Sequence, residues 1–198
     1  MTEPSDLPDA ELAKSAAQSN ARAFEQLMAR HKAWVFRFCR RYTGDTEAAL
    51  DLTQETFVSA WRAIGRFDEA RIFTTWLRSI ALNKCRDRSR REHVRRFITG
   101  FAQGTNDEAL QQTDPSAGPE EGLLDRERLR LLDTAIAALP THLKEALLLT
   151  TLDELSHAAA ARLLGVSAKT IETRVYRARR KLAIDLAMSD TEADSASP

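Results

Sequence analysis

Two groups of residues in this sequence have the types and the spacing to read a polyanion. Asn83, Arg86, Asp87 and Arg90 fall at i, i+3, i+4 and i+7, a single helical stripe bearing amide, guanidinium and carboxylate groups, with Lys84 and Arg91 beside it. Lys169, Thr173, Tyr176, Arg177 and Arg180 form a second stripe far downstream. Guanidinium and amide groups match base edges, and lysine and arginine match phosphate, so the chemistry open to both stripes is hydrogen bonding and charge pairing. No set of residues supports a nucleophile, a metal, a cofactor or a nucleotide-binding loop, and no enzyme is expected. A solvated charged face is the plain alternative for each stripe.

Each stripe needs an anchored helix behind it. For the first, Phe73, Leu77, Ile80 and Ala81 keep helical spacing, and the apolar face ends after Leu82. For the second, Ile171, Val175, Ala178 and Leu182 form the apolar back. Ahead of it stand Ser156 as an N-cap, the short run HAAAARLLG, a turn at Gly165-Val166 and Ser167 as another N-cap. Two short helices across a glycine turn predict a helix-turn-helix, with the second helix as the reader. Leu124, Leu131, Leu132, Ala135, Ile136 and Leu139 predict a helix ended by Pro140, and LKEALLLTTL continues the bundle.

The formal net charge is +0, with 29 basic and 29 acidic residues, but the charges are segregated. Residues 71–101 hold nine basic side chains against Asp87 and Glu92, and residues 162–184 hold seven against Glu172. Asp107, Glu108, Asp114, Glu120, Glu121, Asp125 and Glu127 crowd the stretch between, and the tail from Asp185 is acidic. Two cationic surfaces on an anionic tether are the footprint of a nucleic-acid binder.

Upstream, a helix is expected to start near Pro8 or Asp9, and residues 21–41 predict another with Phe24, Leu27, Met28, His31, Val35 and Phe38 on one face and a turn at residues 43–45; His31 reads as a core-edge residue. Residues 46–65 predict another, with Leu50, Phe57, Trp61 and Ile64 as its stripe. On its neighbouring face Asp51, Gln54 and Glu55 are either solvated or a contact for a basic protein surface. The loop at residues 65–70 is bracketed by Phe67, Phe73 and Trp76, aromatic rings that fit a core or stack on unpaired bases. Residues 103–122, rich in Pro, Gly, Gln and acids, bury too little to order themselves. Cys39 and Cys85 lack disulfide or metal spacing and are expected reduced. The N-terminus has no leader pattern and no stretch spans a membrane, so a cytoplasmic protein without membrane insertion is expected.

DLTQETFVSAWRAIGRF at residues 51–67, TWLRSIALNKCRDRSRR at 75–91 and the stretch 138–182 together resemble the bacterial RNA polymerase sigma factors of the extracytoplasmic function type, in the sigma-70 family. The fold expected is all-α: two small helical domains joined by a flexible acidic linker, the C-terminal one containing the helix-turn-helix. The boundaries are a partly disordered N-terminal segment at 1–20, a polymerase-binding and melting domain at 21–101, a linker at 102–122, a helix-turn-helix domain at 123–187 and an acidic tail at 188–198. The resemblance implies core RNA polymerase and promoter DNA, duplex and melted non-template strand, as partners, with an anti-sigma factor as a further one. It assigns Asp51, Gln54 and Glu55 to the polymerase clamp. Arg66 and Phe67, in a loop that takes a flipped base, join Asn83, Lys84, Arg86, Asp87, Arg90 and Arg91 on the proximal promoter element. Lys169, Thr170, Glu172, Thr173, Arg174, Tyr176, Arg177 and Arg180 face the distal element. The family usually has an acid where Ala158 or Ala159 stands and often Lys or Arg in place of Glu172, whose carboxylate favours a cytosine amino group over phosphate. The rival reading is a self-sufficient helix-turn-helix regulator.

Overall fold

The structure, a computed structural model, describes residues 7–100 and 121–195, and all regular structure among them is helical. Two compact units make up the chain, Met1–Ala109 and Leu110–Pro198. The division falls inside the expected linker; residues 101–120, residues 1–6 and the last three residues of the tail lie outside the described set.

The first unit contains α1 (Asp9–Ala17), α2 (Ala21–Thr43), α3 (Thr46–Ala63), a 3-10 turn (Ile64–Arg66) and α4 (Phe73–Gly100). Local chemistry sets the helix ends. Asn20 accepts a hydrogen bond from the Ala23 N–H at 3.3 Å to start α2. Gly44, at φ +76°, ends α2 with its N–H donating to the Arg40 carbonyl at 2.8 Å. Asp45 then caps α3, accepting from the Glu47 N–H at 2.9 Å. The turn expected at residues 43–45 is thus a C-cap followed directly by an N-cap.

The helix expected to start near Pro8 or Asp9 is α1; its Leu12, Ala13 and Ala16 are buried and it packs on α2. Asp9 ties the two together, with His31 Nε2 at 2.6 Å and Arg30 Nη1 at 2.9 Å. The core joins Leu27, Val35, Phe38 and Tyr42 of α2 with Leu52, Thr56 and Phe57 of α3 and Phe73, Leu77, Ala81 and Leu82 of α4.

In α3 the buried face differs from the expected stripe. Leu50 is 54% and Trp61 39% exposed, whereas Ala48, Ala49, Leu52, Thr53, Thr56 and Ala60 are buried. Small residues let α3 approach its neighbours closely, and the two threonines hide their hydroxyls by donating to the Ala49 and Leu52 carbonyls at 2.6 and 2.7 Å. Of the expected stripe Phe57 and Ile64 are buried, and Leu50 and Trp61 are displaced to the surface. The anchored face of α4 also runs a turn further than expected, to Cys85, whose Sγ lies 3.8 Å from Cys39 Sγ in the core.

The second unit contains α5 (Glu121–Ala138), α6 (Thr141–Thr151), α7 (His157–Leu164) and α8 (Ala168–Ser195). Residues Leu143 to Leu149 of α6 are all buried, and α5, α6 and α7 each pack on α8. Among the described residues of the expected α5 face, Ile136 and Leu139 are deep in the core and Leu131 is exposed, while Asp133 is buried; the side chain of Leu124 lies outside the described residues. Ser156 caps α7 by accepting from the Ala159 N–H at 3.2 Å, Gly165 at φ +67° closes it, and Ser167 caps α8 by accepting from the Thr170 N–H at 3.1 Å. A non-glycine residue would be strained at Gly165, although nothing fills the space a Cβ would take. α8 continues through the start of the expected tail to Ser195.

Candidate nucleic-acid and partner interfaces

Three surfaces carry the residues singled out in the sequence. The first is an open groove of about 1100 Å³ between α2 and α3. Its floor and walls include Phe24, Met28, Phe36, Leu50, Val58 and Trp61, with Asp51 and Gln54 on its rim. The rings of Phe24 and Trp61 lie 5.0 Å apart there. Met28, Leu50, Val58 and Trp61, partly exposed, give this groove an apolar surface, and its polar lining is mixed in sign, with Asp51 and Gln54 alongside Lys32 and Arg62. Such a composition suits a protein helix with an apolar face, a basic side chain of which can meet Asp51. Sequence periodicity missed the groove because it assigned Leu50, Trp61 and Met28 to the interior. Glu55 does not line it.

The second surface is the exposed side of α4 and the loop before it. Asn83, Asp87, Arg90 and Arg91 are exposed, and Lys84 and Arg86 are half-buried, so the predicted stripe lies on one accessible helix face. Its charges are partly compensated: Asp87 lies 3.9 Å from Arg90, and Glu55 Oε2 lies 3.6 Å from Lys84 Nζ and 4.0 Å from Arg91 Nη2. In the loop, Arg66, Asp68, Arg71 and Ile72 are exposed. Phe67 is 9% exposed and sits in an aromatic cluster, edge-on to Phe73 at 5.9 Å and tilted against Trp76 at 5.1 Å. Its ring supports the loop from beneath rather than offering a face to solvent.

The third surface is α8. Ile171, Val175, Ala178 and Leu182 are buried and fix the helix, leaving Lys169, Glu172, Tyr176, Arg177 and Arg180 outward, with Thr170, Thr173 and Arg174 half-buried at the flank. A shallow hollow of about 360 Å³ gathers Lys169, Thr170, Thr173, Arg174 and Arg177 with Ser167 and with His142 from the first turn of α6. His142 carried no sequence signal, because only the packing of α6 on α8 brings it to this face. Lys169 Nζ donates to Glu172 Oε2 at 2.9 Å, and this hydrogen bond, reinforced by the lysine's charge, holds the Glu172 carboxyl below the ordinary glutamate range. Among the described residues, Arg174, Arg177 and Arg180 have no ion-pair partner.

Fold and surfaces together define an all-helical, two-unit protein with a helix-turn-helix in one unit and a basic helix beside an apolar groove in the other. Residues 27–95 match the family model for Sigma-70 region 2 and residues 129–182 that for Sigma-70 region 4. The chain is 38% identical over 182 residues to RNA polymerase sigma factor NccH of Alcaligenes xylosoxydans xylosoxydans, covering 92% of this chain and 95% of the relative. It is 39% identical over 183 residues to ECF RNA polymerase sigma factor SigC of Mycobacterium tuberculosis, covering 92% of this chain and 91% of that one. The structure of CnrH in complex with the cytosolic domain of CnrY superposes with a TM-score of 0.64 at 31% identity, over 96% of this chain and 99% of that chain. The sigma factor RpoE of Bartonella quintana, solved with the anti-sigma factor NepR, shares the fold with a TM-score of 0.67 at 23% identity, over 84% of this chain and 98% of that chain. The chain belongs to the sigma-70 family, and within it to the sigma factors of the extracytoplasmic function type. Among the described residues no helix is long and apolar enough to cross a membrane.

Proposed function

We propose that this protein binds core RNA polymerase and directs promoter-specific transcription initiation, recognising promoter DNA and helping to open it. The observation that carries this reading is the pairing of surfaces. One unit holds an apolar groove rimmed by Asp51 and Gln54 next to a basic helix, and the other holds a helix-turn-helix with an outward cationic face. The role is one of binding rather than catalysis, exercised in the cytoplasm where polymerase works. A helix-turn-helix regulator acting by itself leaves the first unit, matched to region 2, without a use.

In this reading Asp51 and Gln54, with Glu55 at the edge, meet the polymerase clamp. Arg66 and the loop over Phe67 receive a base flipped from the non-template strand, and Asn83, Lys84, Arg86, Asp87, Arg90 and Arg91 contact the proximal promoter element. Lys169, Thr170, Glu172, Thr173, Arg174, Tyr176, Arg177 and Arg180 meet the distal element. Two DNA grips on a tether give avidity only when a scaffold fixes their separation, so polymerase is needed for tight specific binding. An anti-sigma factor is a further partner, supported by the CnrH relative having been solved with CnrY.

The decisive experiment is transcription in vitro from genomic DNA with purified core polymerase. Promoter-specific products that depend on this protein are expected; their absence across the genome overturns the reading. Permanganate reactivity of unpaired thymines at the start site tests strand opening in the same reaction.

A further inference from the structure

Glu55 stands apart from the two residues grouped with it in the sequence. It lies one helical turn from Asp51 on α3, yet it is absent from the groove that Asp51 and Gln54 rim. Its carboxylate instead reaches across to α4, to Lys84 at 3.6 Å and Arg91 at 4.0 Å. Two further carboxylates near α4's cations, Asp87 beside Arg90 and Glu92 beside Arg88 at 2.7 Å, belong to α4 itself and move with it. Glu55 comes from a different helix, the one that also carries the rim of the groove. Its side chain is 43% exposed, so both α4 and an incoming partner can reach it.

We propose that Glu55 is a shared counter-ion that links partner docking to DNA binding. In the unbound protein it occupies Lys84 and Arg91. A basic partner surface seated on Asp51 and Gln54 draws the neighbouring carboxylate to itself, and the two lysine and arginine cations pass to DNA phosphate. This rests on the polymerase and promoter reading above. A carboxylate and a phosphate compete for the same cations, and the carboxylate also repels the phosphate directly, so the unbound protein holds DNA more weakly than its α4 stripe by itself would. Exposed ion pairs contribute modestly, on the order of one- to fivefold in affinity for each pair. Coupling of this kind is reciprocal: whatever factor the partner adds to DNA affinity, DNA adds to partner affinity.

The test is Glu55→Gln, which keeps volume and removes charge, measured in the full-length protein for binding to a promoter fragment with and without core polymerase. Expected for the variant alone is DNA binding tighter by about two- to tenfold at low salt, converging with wild type as salt screens the pairs. With polymerase bound, variant and wild type should hold DNA about equally, so the gain that polymerase confers shrinks by the same factor. Unchanged DNA affinity of the variant alone overturns the proposal. A gain that persists undiminished in the polymerase complex also overturns it, since Glu55 is then never handed over. Adding Lys84→Gln to Glu55→Gln should reduce the gain, and an undiminished gain in the double variant rules out Lys84 as the released cation. Asp51→Ala, which leaves the Glu55 pairs intact, tests the underlying reading by itself: undiminished polymerase binding by this variant refutes the docking face whatever Glu55→Gln does.

Discussion

α4 and α8 are each 28 residues long, and each is held by one buried face while another carries cations. They differ in where their counter-charges lie. On α8 two lysines are compensated within the helix, Lys169 by Glu172 three residues on and Lys181 by Asp185 four residues on, while Arg174, Arg177 and Arg180 have no ion-pair partner among the described residues. On α4, Lys84, Arg90 and Arg91 each have a carboxylate within 4.0 Å, and for two of them it comes from another helix. Among the described residues α8 presents arginines without counter-charges, whereas the cations of α4 are partly neutralised by acids of its own unit. A basic sequence is therefore not the same as an available cationic surface, because the field at a helix depends on which acids its neighbours bring close.

The sharpest way to break this comparison is to remove an anchor. Leu77→Ala should cost the first unit about 2–5 kcal/mol, since Leu77 is buried under α4, and all three tryptophans lie in that unit, so urea unfolding followed by tryptophan fluorescence reads it directly. A loss below about 1 kcal/mol would mean the face is not holding the helix.

Next in size is the loss of an uncompensated cation. Arg177→Ala should weaken promoter binding in the polymerase complex by about 1–3 kcal/mol, while Arg90→Ala, whose guanidinium already has Asp87 nearby, should cost less. Fluorescence anisotropy with a labelled promoter fragment measures both, and equal losses would erase the difference between the two helices.

The scaffold of the second reader gives a smaller effect. Ser156→Ala removes the N-cap of α7 and should destabilise the second unit by about 1 kcal/mol, seen as a shift in the helical circular-dichroism transition.

Smallest is the Lys169–Glu172 pair. Because the carboxyl of Glu172 is held below its ordinary range, the pair's contribution is fully present above the unfolded glutamate pKa and fades as pH falls through the depressed folded value. A carbon-detected NMR titration should therefore place the Glu172 midpoint below that of a free glutamate, and Lys169→Ala should return it upward. An unmoved midpoint would show that the hydrogen bond does not form in solution.

Much of this was legible in the sequence because it depends on near neighbours. Capping serines, the glycine at residue 165 and the spacing of Ile171, Val175, Ala178 and Leu182 are short-range features, and the helix-turn-helix matches them residue for residue. The α3 face was misread for an equally specific reason. Ala48, Ala49, Ala60 and two self-bonded threonines join Leu52 and Phe57 on its buried side, and the large residues Leu50 and Trp61 are left for a surface groove. Phe67 shows the same limit: its spacing fitted either a core ring or an exposed stacking ring, and its packing on Phe73 and Trp76 decides for the interior.

The sequence by itself determined which segments are helices, where caps and turns bound them at residues 43–45, 140, 156, 165 and 167, and that two of them carry concentrated positive charge, since all of these follow from backbone capping and a 3.6-residue period. Only the tertiary structure decided that Asp51 and Gln54 rim an apolar groove, that His142 joins the face of α8, and that Glu55 meets Lys84 and Arg91. Those pairings depend on how each helix is rotated against its neighbours. That rotation is set by the close packing of small and large side chains across an interface, which no periodicity within one helix records.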